Sequence, residues 1–354
     1  MTLHVAVAGW LLGPHSGANR RLLSLLRYAG PQLTDRERIT VLHRPDFSPA
    51  PLPHMPGVRW QAVPIGDGPP LRRALAERRH LARTLRTLQA NVFDHAFLPL
   101  PHIELPSCLT VHDTRAADGL SRWPRWLARA VLRSACARAA VVIAPSQWTA
   151  DRITQLAPAA RTRVVPNGVE LPHGQPALFA PLPPNGYLLH AGHLEPRKNL
   201  AILVQALRLL APAQRPQLWL AGRDAGSLPK LRHLAAADVE LRSLGAVTDG
   251  ELAQLYAHAR AVVMPSCYEG FGLPVLEALA HGRPVLASAL TALPEVLGNC
   301  GTLLPANDAA AWAKAIADTA TRGLALASHR ARAAEFGWSA AAAALLAIWR
   351  QLRN

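Results

Sequence analysis

The chain has 354 residues, half of them hydrophobic, which at about 150 residues per domain suggests two domains with sizeable cores and excludes a mainly disordered protein. Four cysteines (Cys108, Cys136, Cys267 and Cys300) stand far apart without a CxxC pair, against a disulfide scaffold or zinc ribbon and in favour of a reducing compartment. The formal net charge is +15, with 35 of the 38 basic residues arginine, a balance that points to nucleic acid, an anionic membrane surface or a phosphate-rich ligand, or to GC-rich coding alone.

In chain order, the first strand is expected at Leu3 to Ala8, followed by the turn Gly13-Pro-His-Ser-Gly17 and a helix with Leu22, Leu23, Leu25 and Leu26 on its apolar side. Strand, glycine turn and helix open a Rossmann-like unit. Short strands at Ile39–Leu42, Val92–Phe93, Cys108–Val111, Ala140–Ala144 and Arg163–Val165 alternate with helices, notably Arg72–Gln89 and Arg125–Arg138. Leu171 to Gly186 is proline-rich and without period, as expected of a linker. The alternation then resumes with strands Tyr187–Ala191, Gln217–Ala221, Ala261–Met264 and Pro284–Ala287, and helices Asn199–Leu210, Gly250–His258 and Leu273–His281. The reading is α/β: an N-terminal domain over 1–170, a linker over 171–186, a C-terminal domain over 187–335, and a final helix in 336–354 packing back on the first domain. Ligands of two such doubly wound domains are expected at the carboxyl ends of their strands.

No stretch approaches the ~18–20 consecutive apolar residues that a membrane span needs. The first residues lack a basic region and a cleavage site, so the expectation is a cytoplasmic protein, at most attached to a membrane peripherally.

The chemistry concentrates in Pro265 to Ser288, where Glu269 and Glu277 stand seven residues apart around Gly270-Phe-Gly-Leu273, with Pro274 near the start of a helix. Glycine-exposed backbone and a helix N-terminus together suit an anion. A second basic loop, Gly192-His-Leu-Glu-Pro-Arg-Lys-Asn199, follows the strand Tyr187–Ala191 and offers Arg197 as a bidentate clamp and Lys198 as a compact charge.

These windows resemble the E-x7-E motif and the (R)KN phosphate loop of retaining, nucleotide-sugar-dependent glycosyltransferases of family 4. Val165-Pro-Asn-Gly-Val169, Leu220-Ala-Gly222, Leu244-Gly-Ala-Val247 and Thr110-Val-His-Asp113 match further segments in order, so the resemblance covers most of residues 105–320. It implies the GT-B fold, two Rossmann-like doubly wound parallel-sheet domains facing across a cleft. It also implies a hexosyltransferase whose co-substrate is the nucleotide-sugar donor, with no cofactor and no metal. By resemblance Arg197 and Lys198 stabilise the leaving diphosphate, and Glu269 takes hydroxyls of the transferred sugar. Glu277 takes the donor ribose, and Asn199 and the backbone of Gly270, Phe271, Gly272 and Leu273 lie beside the donor. Val247 packs near the base or lies in the core. His112 contacts a sugar hydroxyl, and Gly17 and Arg20 stand beside the diphosphate, although Gly13-Pro-His-Ser-Gly17 departs from the family's commoner glycine pattern. The expected mechanism is front-face displacement, in which the leaving phosphate takes the acceptor proton. GDP-mannose or a related donor leads, with UDP-sugars close behind, and the acceptor is a glycan or lipid-linked saccharide in cell-surface polysaccharide assembly. A catalytically silent GT-B partner subunit and a basic nucleic-acid-binding protein remain as alternatives, the second without a recognition motif.

The histidines show no metal-ligand spacing, and His80, His233, His258 and His329 are expected on solvated helix faces. Residues 1–170 carry 22 arginines against 11 acidic residues, so +11 of the charge belongs to the first half. Part of it lies in Ser121 to Ala139, where Trp123 and Trp126 interleave with Arg122, Arg125, Arg129, Arg133 and Arg138. Two readings of this segment stand side by side: an interface with an anionic membrane, or a helix that buries its apolar stripe and leaves its arginines in water.

Overall fold

The computed structural model describes residues 2–13, 17–50, 52–121, 123–172, 182–320 and 326–353. The expected turn at 14–16, most of the proline-rich segment (173–181) and Arg122 lie outside the described residues. The chain divides into two compact units, one of Met1–Gly168 with Trp338–Asn354, the other of Val169–Gly337.

The first unit holds strands β1 (Leu3–Ala8), β2 (Glu37–His43), β3 (Val58–Ala62), β4 (Val92–His95), β5 (Ser107–Thr110), β6 (Val141–Ala144) and β7 (Thr162–Val164). Its helices are α1 (Gly17–Ala29), α2 (Pro70–Leu88), α3 (Arg125–Arg138) and α4 (Gln147–Leu156). The strands form one parallel sheet in the order β3-β2-β1-β4-β5-β6-β7. Both faces are covered, so the central strands are closed to solvent along their length: β4 and β5 are buried at every position, including the polar Asp94, His95, Ser107 and Thr110.

The second unit holds β8 (Tyr187–Ala191), β9 (Gln217–Ala221), β10 (Leu241–Gly245), β11 (Ala261–Met264), β12 (Val285–Ser288) and β13 (Thr302–Leu304). Its helices are α5 (Ala201–Arg208), α6 (Leu228–Ala235), α7 (Asp249–His258), α8 (Leu273–Ala280), α9 (Leu293–Leu297), α10 (Ala309–Asp318) and α11 (Leu326–Ala334). The sheet is again parallel, in the order β10-β9-β8-β11-β12-β13. Side chains alternate across it: Tyr187, Leu189 and Ala191 enter one core layer, Leu188 the other. Strand order reverses between β1 and β4 in one unit and between β8 and β11 in the other. At such a switch point the loops diverge and leave a crevice at the carboxyl ends of the strands.

The final helix, α12 (Trp338–Arg353), belongs to the first unit, where the Trp349 indole N–H donates to Asp94 Oδ2 at 2.8 Å. Residues 169–170 and 336–337 belong to the second: the Val169 N–H donates to the Phe336 carbonyl at 2.8 Å. Strands β3, β10 and β13 were not expected from sequence, because these edge strands are short and partly polar. His329 corrects the expectation of a solvated face. It is buried, and burial lowers its pKa, partly opposed by contacts with the Gly282 and Arg283 backbone. Among the described residues no helix is long and apolar enough to cross a membrane.

Candidate active site

At the β8/β11 switch point the first requirement is room. Gly192 ends β8 with φ +137° and Gly222 ends β9 with φ +148°. A Cβ on Gly222 would sit 2.0 Å from the Gly192 carbonyl oxygen, so only glycine lets these strand ends approach so closely. Gly222→Ala is expected to destabilise the chain by about 2–4 kcal/mol, combining overpacking with a left-handed backbone that alanine resists. The midpoint of urea unfolding checks it; an unchanged midpoint contradicts the close packing.

The loop after β8 makes a 3₁₀ turn at Pro196–Lys198 and closes at Asn199, whose φ of +52° is stabilised by its side-chain N–H donating to the Ala306 carbonyl at 2.8 Å. The turn delivers Lys198 inward, 6% exposed, where its ammonium donates to Glu269 Oε1 at 2.6 Å. Glu269 arrives on the loop after β11. Its other oxygen lies 3.3 Å from Arg197 Nη1, which also donates to the Tyr268 carbonyl at 2.9 Å, while Arg197 Nε donates to Glu195 at 2.7 Å. Burial pushes the Glu269 carboxyl upward, but Lys198, Arg197 and hydrogen bonds from Lys198 and Ser266 outweigh it, so the group stays ionised and below its ordinary pKa. Two carboxylates thus face two cations. Of the three ammonium hydrogens on Lys198, one goes to Glu269 and two have no protein partner among the described residues.

Two residues that sequence reasoning missed complete this corner. Thr291 accepts the Glu269 N–H at 3.0 Å from a backbone with φ +57°, a strained conformation for a β-branched residue and of the kind concentrated at functional sites. His190, on β8, is fully buried, with Nδ1 facing the Val263 carbonyl of β11 at 3.2 Å. Burial, reinforced by the Lys198 charge, lowers its pKa to about 3 and keeps the ring neutral, so with Nδ1–H on the carbonyl its buried Nε2, without a partner among the described residues, is an acceptor. No sequence motif marks either residue. A histidine inside an apolar strand was the available signal for His190.

The rest of the Glu269–Glu277 window divides. Gly272, with φ +103°, caps α8, and a Cβ there would press to 2.7 Å on Leu293. Phe271 is buried in the core, edge-on to Phe336 at 5.9 Å, so its side chain serves packing; Leu273 and Val247 pack partly buried against the same layer. Gly270 and Glu277 are partly exposed. Glu277 accepts a hydrogen bond from the buried Tyr256 hydroxyl at 2.7 Å, a partner that only the fold reveals.

In the first unit Gly17 and Arg20 lie exposed on the first turn of α1. The buried basic residue is Arg21, which donates to Asn167 Oδ1 at 2.5 Å and to the Val165 carbonyl at 2.7 Å. Helical phase places Arg21 with Leu22, Leu25 and Leu26 on the inner face, a signal present in the sequence. His112 follows β5; burial and then the Arg21 charge lower its pKa to about 3, and its Nε2 is buried without a partner among the described residues. Among the described residues no group of three His, Cys, Asp or Glu side chains gathers as a metal site would require.

Two family models match this chain: the description "Glycosyltransferase Family 4" over residues 15–172 and "Glycosyl transferases group 1" over residues 185–322. O-antigen chain mannosyltransferase B of Escherichia coli is 40% identical over 162 residues, covering 43% of this chain and 42% of that protein. A D-inositol 3-phosphate glycosyltransferase of Actinosynnema mirum is 35% identical over 241 residues, covering 60% and 58%. The chain thus spans about half the length of these curated relatives. Sucrose-phosphate synthase from Thermosynechococcus elongatus superposes with a TM-score of 0.79 over 99% of both chains at 21% identity, a likeness of fold. With both family models in order over two parallel-sheet α/β units, the chain belongs to the group 1 glycosyltransferases of family 4, the GT-B proteins.

Proposed function

We propose that this chain is a metal-independent, retaining hexosyltransferase. It moves a sugar, with mannose from GDP-mannose favoured, from a nucleotide diphosphate donor to a glycan or lipid-linked saccharide in cell-surface polysaccharide assembly. The supporting observation is the corner of Lys198, Arg197 and Glu269 at the β8/β11 switch point, with two ammonium hydrogens of Lys198 unclaimed among the described residues. Cleaving a sugar–phosphate bond builds negative charge on the leaving diphosphate. Lys198 and Arg197 are preorganised cations that stabilise such charge without reorganising when it develops. Glu269, kept ionised, accepts hydrogen bonds from hydroxyls of the transferred sugar, and Glu277, oriented by Tyr256, from the donor ribose. The leaving phosphate takes the acceptor proton, so no side chain acts as base. Gly17, Arg20 and His112 are assigned to the donor on family resemblance. The name of the Escherichia coli relative, an O-antigen chain mannosyltransferase, favours mannose and a surface polysaccharide; a lipid-linked acceptor suits a peripheral location at the cytoplasmic face of a membrane.

The test is incubation of the folded protein with GDP- and UDP-sugars and a membrane lipid extract, reading the product by mass spectrometry. A mannosylated lipid-linked product from GDP-mannose is expected. Product from UDP-sugars alone would replace the donor assignment. A protein that binds and consumes no nucleotide sugar would remove the reading altogether.

A further inference from the structure

The segment Ser121 to Ala139, left with two readings by its sequence, is divided by the structure. The face of α3 turned into the first unit's core is Leu132, Ala135 and Cys136. The tryptophans are not on it: Trp123 is 51% and Trp126 72% exposed, and Leu120 in the preceding turn is 53% exposed. The core therefore has no use for the largest apolar side chains of this segment.

Of the arginines beside them, Arg129 and Arg133 are oriented by backbone carbonyls, and Arg125, Arg129 and Arg133 have no carboxylate partner among the described residues. Arg125, Arg129 and Arg133 recur every four residues and so stack as like charges on one helix face, an unfavourable arrangement unless an anion answers it. Arg129 Nε donates to the Ala117 carbonyl at 3.0 Å and Arg133 Nε to the Leu156 carbonyl at 2.7 Å. Each guanidinium is thereby fixed while its terminal nitrogens have no carboxylate among the described residues. The nearby carboxylate of Asp118 is taken by Arg152 and Thr114. The three arginines, with Trp126 and Ala130, form one continuous open patch along the helix.

We infer that this face of α3 is an attachment surface for an anionic lipid bilayer, its arginines binding lipid phosphates while Trp126, Trp123 and Leu120 enter the headgroup layer. Oriented guanidinium groups recognise phosphate oxygens, and tryptophan prefers the membrane interface, where one edge of the ring is wet and the rest apolar. Nucleic acid answers the arginines but leaves Leu120 without a partner. The net charge of +11 over residues 1–170 adds attraction of the same sign. This inference needs no nucleotide sugar, so it survives or fails apart from the transfer reaction.

Flotation of the full chain with vesicles tests it, using phosphatidylglycerol mixed with phosphatidylethanolamine against phosphatidylcholine alone. The protein is expected to float with the anionic vesicles and not with the neutral ones, and to release as salt rises. At about fivefold in binding per arginine near such a surface, Arg125→Glu/Arg129→Glu/Arg133→Glu is expected to weaken binding on the order of a hundredfold or more. Trp123→Ala/Trp126→Ala, which leaves the core untouched, is expected to keep the melting temperature, lose about tenfold in vesicle binding, and lose the quenching of tryptophan fluorescence by brominated lipid. Equal flotation with neutral vesicles, wild-type binding by the tryptophan variant, or displacement of vesicles by single-stranded RNA would each overturn the assignment.

Discussion

Lys198→Met is expected to lower sugar transfer at least a hundredfold while destabilising the chain by about 3 kcal/mol. The first number follows from removing one preorganised charge from a developing oxyanion, which typically costs 10²–10³ in rate, about 3–4 kcal/mol. The second follows from burial. Lys198 and Glu269 are both nearly closed to solvent at 2.6 Å, and breaking such a pair strands the remaining charge, at about 3–5 kcal/mol. The lower end applies because Arg197 still lies 3.3 Å from Glu269. The pH dependence has a definite sign. The Glu269 carboxyl is held below its ordinary pKa of 4.5, so its pairing contributes stability above that pH and loses it as pH falls through the lower, native value. The gap between wild type and variant is therefore widest near neutrality and closes in acid. Adding Glu269→Gln to Lys198→Met removes the stranded charge and is expected to restore most of the stability but none of the transfer. Urea midpoints across pH, with transfer rates on all three proteins, check this. Near-wild-type transfer by Lys198→Met would end its assignment to the diphosphate.

The second large effect lies in the other unit. Arg21→Met is expected to cost about 3–5 kcal/mol, since Arg21 is fully buried and its two hydrogen bonds tie α1 to the segment around Val165 and Asn167. Burial lowers its pKa to about 10, and the Asp94 charge partly opposes that shift. Asp94 is itself raised from 3.8 to about 6, by burial first, against the hydrogen bonds from Trp349 and Cys108 and the Arg21 charge. A raised carboxyl binds its proton more tightly in the native state, so its contribution to stability is lost as pH rises from about 4 to 6. Asp94→Asn cannot titrate. Whatever its offset, it is expected to gain on wild type over that interval by up to about 3 kcal/mol, at 1.36 kcal/mol per pKa unit. Parallel urea titrations at pH 4.5 and 7.5 read the difference, and a constant gap would show that Asp94 does not carry it.

Much of the fold was legible because parallel strands covered on both faces form short apolar runs, and the helices between them carry a 3.6-residue period. The edge strands β3, β10 and β13 were not, since half-exposed strands of three to five residues lack that contrast. Arg197, Lys198 and Glu269 were legible because they stand on loops with distinctive spacing, and Glu277 because it follows Glu269 at a fixed distance in the helix that the loop opens. His190, Tyr256 and Thr291 were not, because their importance lies in what they face. Arg21 shows an intermediate case: its helical phase marked it as inward, but the exposed Arg20 beside it drew the expectation.

By itself the sequence determined two alternating α/β units and the loops that carry charge, since period, glycine placement and local composition act over a few residues. Only the tertiary structure decided which of those charges meet. Lys198 and Glu269 are 71 positions apart and become partners because β8 and β11 are neighbours at the reversal of strand order, a long-range pairing that no local pattern encodes. The same holds for α3. Its amphipathic pattern allows its tryptophans either inside or outside, and it was the filling of the core by Leu132, Ala135 and Cys136 that left them, with their arginines, on the surface.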